Sequence, residues 1–178
     1  MPRRRNRLTS LRCTDAAYFR KMNIYTVGYE GLGLEEFLLQ LRHARVQIVV
    51  DVRAVPLSRK RGFSKTALAA ALAVAGVKYL HVRSLGCPQP VRDYYRANRD
   101  WKAYTAAFMN HLREQGVAVD QLAAVCKNST AALLCYEADA GLCHRTYVAR
   151  AVAAVAGGDV LHIGAAGVTP DRAIAAAA

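Results

Sequence analysis

The sequence predicts an α/β fold, a three-layer sandwich around a mostly parallel sheet of about five strands. Three observations carry that expectation. Short β-rich runs alternate with stretches whose apolar residues recur at helical spacing, the pattern of βαβ crossovers. The run Val46–Val52 is almost continuously apolar and β-branched, as a strand covered on both faces must be. The chain has 178 residues, 53% of them apolar, which is enough for one domain with a core; five visible strands are too few for an eight-stranded barrel.

Taken in order, Asn23–Gly28 reads as the first strand, ending in glycine. Leu34, Phe37, Leu38 and Leu41 then mark a helix, with Glu35 and Glu36 in the first turn where the helix dipole favours acids. After the strand at Val46–Val52, Ser64 caps a helix lined by Leu68 and Leu72 and ended by Gly76. Val77–Val82 is the third strand, followed by a loop containing Pro88 and Pro90. Asp100 caps a helix with Trp101, Tyr104, Phe108 and Leu112 on one stripe, and a shorter helix carries Leu122 and Val125. Ala131–Tyr136 is the fourth strand, His144–Ala156 a helix stopped by Gly157 and Gly158, and Asp159–Ile163 a last short strand. The domain therefore spans 22–163, between a basic disordered leader (1–21) and a flexible tail (164–178).

The net charge of +12 favours anionic partners, nucleic acid among them. It is unevenly placed: residues 1–21 hold seven basic residues against one acid, half of the excess. No apolar run approaches the length that crosses a membrane, and the basic head lacks the apolar stretch of a secretory signal. Five cysteines, an odd number, without such a signal predict free thiols and a cytoplasmic protein. No phosphate-loop or dinucleotide glycine motif occurs, so no nucleotide cofactor is indicated.

Ligands of open parallel sheets sit beyond the carboxyl ends of the strands. Four such ends here carry chemistry: Tyr29 and Glu30; Asp51 and Arg53 leading into Ser58, Arg59, Lys60, Arg61 and Lys65; His81, Arg83 and Cys87; and Cys135, Glu137, Cys143, His144 and Arg145. The loops at the opposite edge are plain. At these residues the chain resembles the domain-of-unknown-function 488 family, through Ile24–Glu30 (IYTVGYE), Asp51–Arg53 with Pro56 and Ser58–Arg59, Gly62–Lys65 (GFSK), Tyr79–His81 with Leu85–Gly86, and Leu134–Glu137 (LCYE) leading to Cys143–Arg145 (CHR). The resemblance covers about residues 22–163 and implies a prokaryotic protein, without implying an activity.

Four constellations follow. Cys143 at a helix start, beside His144 and Arg145, is placed to be a thiolate nucleophile next to an anion-binding turn, although the Cys-x5-Arg spacing of phosphatases is missing. The alternative is a packed thiol and an arginine that ties down a loop. Cys135 and Cys143 sit at a strand end and a helix start, but no Cys-x2-Cys or His-x3-His pair anchors a zinc site, and no metal is assigned. Asp51, Glu30 and Glu137 share one edge and could hold Mg2+; the favoured reading instead pairs Asp51 with Arg53 or Arg145 in a buried ion network, with the carboxylates still free for general-base work. Arg53, Ser58, Arg59 and Lys65 with Phe63, and Arg92, Arg96 and Arg99 with Tyr94 and Tyr95, form basic-aromatic segments suited to phosphate and base contacts.

The expected function is an enzyme acting on a phosphorylated or nucleic-acid substrate. Cys143, Glu137, Asp51 and His81 are its catalytic candidates, and Arg53, Ser58, Arg59, Lys65, His144, Arg145 and Tyr29 hold the anion. The alternatives are a non-catalytic nucleic-acid-binding protein and a thiol-based redox or metal sensor using Cys135, Cys143 and Cys87.

Overall fold

The computed structural model describes residues 22–172. The expected leader and the last six residues of the expected tail lie outside them. Strands β1 (Met22–Gly28), β2 (Ile48–Asp51), β3 (Lys78–His81), β4 (Ala131–Cys135), β5 (Gly158–Gly164) and β6 (Gly167–Pro170) form one sheet in the order β3-β2-β4-β1-β5-β6. All pairings are parallel except β5 with β6. Helices α1 (Leu34–His43), α2 (Lys65–Val74), α3 (Gln89–Asn98), α4 (Trp101–Arg113), α5 (Gly116–Asn128) and α6 (His144–Ala156) make the connections, with a 3-10 turn at Arg83–Leu85.

Side chains on a strand alternate between faces, and the core divides accordingly. Ala131 and Leu133 of β4 join Ile24, Val50 and Val52 in one cluster with Phe108, Leu122, Val148 and Val152 of α4, α5 and α6. Ala132 and Leu134 join Val27 and Val49 in a second cluster with Phe37 and Leu41 of α1 and Leu68 and Leu72 of α2. β4, fully buried along its length, is the apolar run flanked by strands on both sides.

Two expectations are corrected. The segment after Pro88 is helix α3, not loop: prolines are tolerated in a first helical turn, where no intrahelical N–H bond is lost, and Arg99 closes the helix at φ 55°. Beyond 163, β6 pairs antiparallel with β5, and Asp171 receives a two-pronged ion pair from Arg150, with Nε–Oδ2 2.7 Å and Nη2–Oδ1 2.9 Å. The sheet thus has six strands rather than about five.

Candidate functional site

β1 and β4 lie side by side, with Gly28 opposite Cys135. Their outgoing connections part: β1 leads through α1 to β2 on one side, and β4 leads through α6 to β5 on the other. Where neighbouring parallel strands send their chains in opposite directions, a crevice opens beyond their carboxyl ends. Backbone contacts build its rim. The N–H groups of Tyr29 and Glu30 both donate to the Tyr136 carbonyl, at 3.1 and 2.9 Å, and Ala138 N–H donates to Glu30 Oε2 at 2.9 Å. Gly28 permits this approach, since a Cβ there would lie 1.8 Å from the Glu137 carbonyl oxygen.

At the end of β2, Asp51 and Arg53 form a saturated network. Arg53 donates from Nε to Asp51 Oδ1 (2.9 Å), from Nη2 to Oδ2 (2.6 Å), and from Nη1 to Tyr29 Oη (2.8 Å) and the Phe63 carbonyl (2.9 Å). Tyr79 donates its hydroxyl to Asp51 Oδ2 at 2.6 Å, and His81 Nε2 donates to the Arg53 carbonyl at 2.9 Å. Burial works against the Arg53 charge, but the Asp51 carboxylate more than offsets it and holds the guanidinium above its ordinary range. Arg145 is likewise committed: Nη1 donates to the Glu137 carbonyl, Nη2 to that of Ala138 (3.2 Å) and Nε to Thr26 Oγ1 (3.4 Å). Both arginines, expected to hold substrate anions, donate to protein acceptors, and Asp51 pairs with Arg53.

At the end of β4 the polar groups are less fully engaged. Cys143 is the N-terminal flanking residue of α6 and His144 its first residue. Cys143 Sγ lies 3.0 Å from Glu137 Oε2, and Cys135 Sγ 3.7 Å from His144 Nδ1. His144 Nε2 is 2.9 Å from the Val52 carbonyl, which only accepts, so Nε2 carries the proton and Nδ1 turns its lone pair toward the sulfurs. Sγ of Cys135, Sγ of Cys143 and a ring nitrogen of His144 all lie within 4.8 Å of one another. Burial raises the Cys143 thiol, but its contacts with Cys135 and His144 and the charge of Arg145 reverse this, and the net shift is well downward. Glu137 is pushed up, first by burial and then by the Cys143 sulfur; His144 also moves up, because its contacts with Cys143 outweigh the burial that opposes its charge. Burial pushes both Cys87 and Cys126 up to about 11.

Above this cluster lies a cleft of about 750 Å³, within the usual range for small-molecule sites. Cys135, Glu137 and His144 form part of its lining; Cys143, 1% exposed, sits behind them and is not presented to it. The walls carry Arg59, Lys60, Arg92 and Arg96 together with Tyr95, Trp101 and Tyr136. The acids Glu30 and Asp139 also face the cleft, but each accepts a backbone N–H, from Ala138 and from Gly141. Arg92 Nε is buried there without a hydrogen-bond partner.

Of the other residues singled out by sequence, Tyr29, Arg53, Ser58 and Arg59 line the cleft, whereas His81, Lys65, Asp51 and Arg145 do not. Helix α3 adds Arg92, Tyr95 and Arg96, spaced three and four apart on one helical face. Trp101 and Tyr136 were not legible as site residues: Trp101 reads as part of the core stripe of α4, and it does stack on Tyr104 at 4.7 Å.

The family model described as Domain of unknown function DUF488 matches residues 33–152. No curated protein and no solved structure matches the chain.

Proposed function

We propose, for a chain that belongs to the Domain of unknown function DUF488 family, an enzyme that acts on a nucleotide unit, free or within a nucleic acid, bound in the cleft between α3 and the ends of β1 and β4. One observation carries this reading: cationic side chains, among them Arg59, Lys60, Arg92 and Arg96, and aromatic rings, among them Tyr95, Trp101 and Tyr136, line the same cleft as Glu137. Arg59, Lys60, Arg92 and Arg96 suit phosphate oxygens. Tyr95, Trp101 and Tyr136 suit a base, since every base has a π-face on which an aromatic ring can stack. The unpartnered Nε of Arg92 is a buried donor that a bound anion would satisfy.

Glu137 is the proton-transfer candidate, because it reaches the cleft whereas Cys143 is shielded. Geometry comes before acidity in choosing a general acid or base, and Glu137 is the acidic cleft residue that contacts the Cys143 sulfur, at 3.0 Å. Arg53, Asp51 and Arg145 position the loops that carry it.

Trp101 is the sole tryptophan of the chain, so its fluorescence reports on the cleft. Titration with nucleoside mono- and diphosphates is expected to give a saturable change. Pyrophosphate should bind more weakly by about 10-fold, roughly one stacking interaction of 1–3 kcal/mol. Arg92→Ala and Arg96→Ala should each weaken binding, and Glu137→Gln should leave binding intact while abolishing conversion of bound nucleotides or oligonucleotides. Absence of a saturable response at millimolar ligand would overturn the reading. So would binding that ignores both arginines, or binding without product from any nucleotide or oligonucleotide, which would return the protein to the non-catalytic class.

A further inference from the structure

The thiol–imidazole cluster beneath the cleft has a feature that anion binding does not use. Cys135, Cys143 and His144 offer two sulfurs and one imidazole nitrogen, mutually within 4.8 Å. Tetrahedral zinc, with Zn–S about 2.3 Å and Zn–N about 2.0 Å, sets such donors about 3.5–3.8 Å apart. The Cys135 Sγ–His144 Nδ1 separation of 3.7 Å already meets that spacing. The ring is also oriented as metal-binding histidines are, with the far nitrogen donating to a backbone carbonyl, here Val52 at 2.9 Å, and the near nitrogen free to ligate.

The donors sit on a fixed frame. Cys135 ends a central strand, and Cys143 and His144 begin α6. The seven residues between the cysteines are tied down by Arg145 on the Glu137 and Ala138 carbonyls, and by Thr146 Oγ1 donating to the Ala140 carbonyl at 2.6 Å. The sequence argument against a metal was the missing Cys-x2-Cys pair; strand end and helix start supply the proximity that short spacing would otherwise supply.

We propose that Cys135, Cys143 and His144 bind one zinc ion, whose fourth position opens to the cleft beside Glu137. Two thiolates and an imidazole favour zinc over magnesium or calcium, which prefer oxygen. Binding requires both sulfurs as thiolates, so any thiol proton still held by Cys135 or Cys143 leaves as the ion is taken up. Three protein ligands with an open position are the arrangement of catalytic rather than structural zinc. The open side is set by which residues reach the cleft, Cys135, Glu137 and His144. This role for the ion rests on the enzymatic reading above; the ion-binding site itself does not.

The test titrates the full chain, freed of metal by a chelator, with Co2+ and then Zn2+. One Co2+ per chain is expected, with the near-ultraviolet thiolate-to-cobalt band and the strong visible absorption of tetrahedral cobalt, bleached by stoichiometric Zn2+. Cys135→Ser, Cys143→Ser and His144→Ala should each weaken Co2+ binding by about 100-fold or more. Glu137→Gln, beside the site, should weaken it by about 10-fold at most. Cys87→Ser and Cys126→Ser should leave the band unchanged. Because a ligand variant can fail to fold, the unaltered chain gives a second readout: Zn2+ should protect Cys135 and Cys143 from alkylation, read peptide by peptide against Cys87. Absence of a thiolate band, or of this protection, overturns the zinc site, as does a band lost in Cys87→Ser. Trp101 titration of the metal-free chain with nucleotides separates the two proposals, since that anion response needs no ion.

Discussion

The ends of β2 and β4 carry two buried polar clusters whose sequence signatures look equally functional, and the structure separates them by how completely each is satisfied. At β2, Arg53 makes four side-chain hydrogen bonds, to Asp51, Tyr29 and Phe63, and Tyr79 closes the remaining side of the carboxylate. At β4, two thiols and a ring nitrogen face one another with one partly exposed carboxylate, through contacts that are weak hydrogen bonds at best. A buried charge that has exhausted its partners specifies structure. Buried nucleophilic groups with unspent lone pairs, on the floor of a cleft, are available for chemistry.

Breaking the first cluster should therefore cost stability and breaking the second should not. Arg53→Leu strands the buried Asp51 carboxylate, and a loss of about 3–5 kcal/mol in urea unfolding is expected. A loss under about 1 kcal/mol would mean the network is not structural. Gly28→Ala is the next largest: the new methyl meets the Glu137 carbonyl, and overpacking of this kind costs about 1–3 kcal/mol. It should also shift the turn at 136–138 and lower nucleotide affinity in the Trp101 assay; unchanged affinity at reduced stability would detach that turn from the site.

The Arg150–Asp171 pair, with side chains 31% and 11% exposed, sharpens the contrast with a third case, where a partly exposed ion pair is worth about 1 kcal/mol or less. Hydrogen bonding from Arg150 is the main cause that lowers Asp171 below its ordinary value, and His162 adds to it. A depressed folded-state value contributes stability that is present above the usual aspartate pKa of about 3.9 and is lost as pH falls through the lower, folded value. Asp171→Asn should remove that part of the acid dependence of the unfolding midpoint; identical acid profiles for both proteins would show that the pair contributes nothing. The smallest stability effect belongs to Glu137→Gln, within about 0.5 kcal/mol, as for a partly exposed side chain outside any saturated network. A loss comparable to that of Arg53→Leu would place Glu137 among the structural groups.

Much of the fold and the edge that bears the site can be read from sequence, because buried strands are apolar runs and the polar residues following them fall on one edge. Helix α3 is hidden by Pro88 and Pro90, which look like loop punctuation until one sees them at a helix start. β6 is hidden by its shortness and full exposure. The roles of Arg53 and Arg145 are hidden for a different reason. Several of their acceptors are main-chain carbonyls, of Phe63, Glu137 and Ala138, and a carbonyl leaves no mark on residue type. Trp101 belongs both to the core stripe and to the cleft wall, and periodicity reports only the former.

In the proposed function the cleft over Glu137, rather than the buried arginines, receives the anion. A crystal structure of the full chain grown in inorganic phosphate tests it most directly. Phosphate is expected on side chains drawn from Arg59, Lys60, Arg92 and Arg96, with Arg53 and Arg145 still bound to their protein acceptors. Phosphate held instead by Arg53 or Arg145, with the Asp51 pair or the Glu137 carbonyl contact broken, would contradict it.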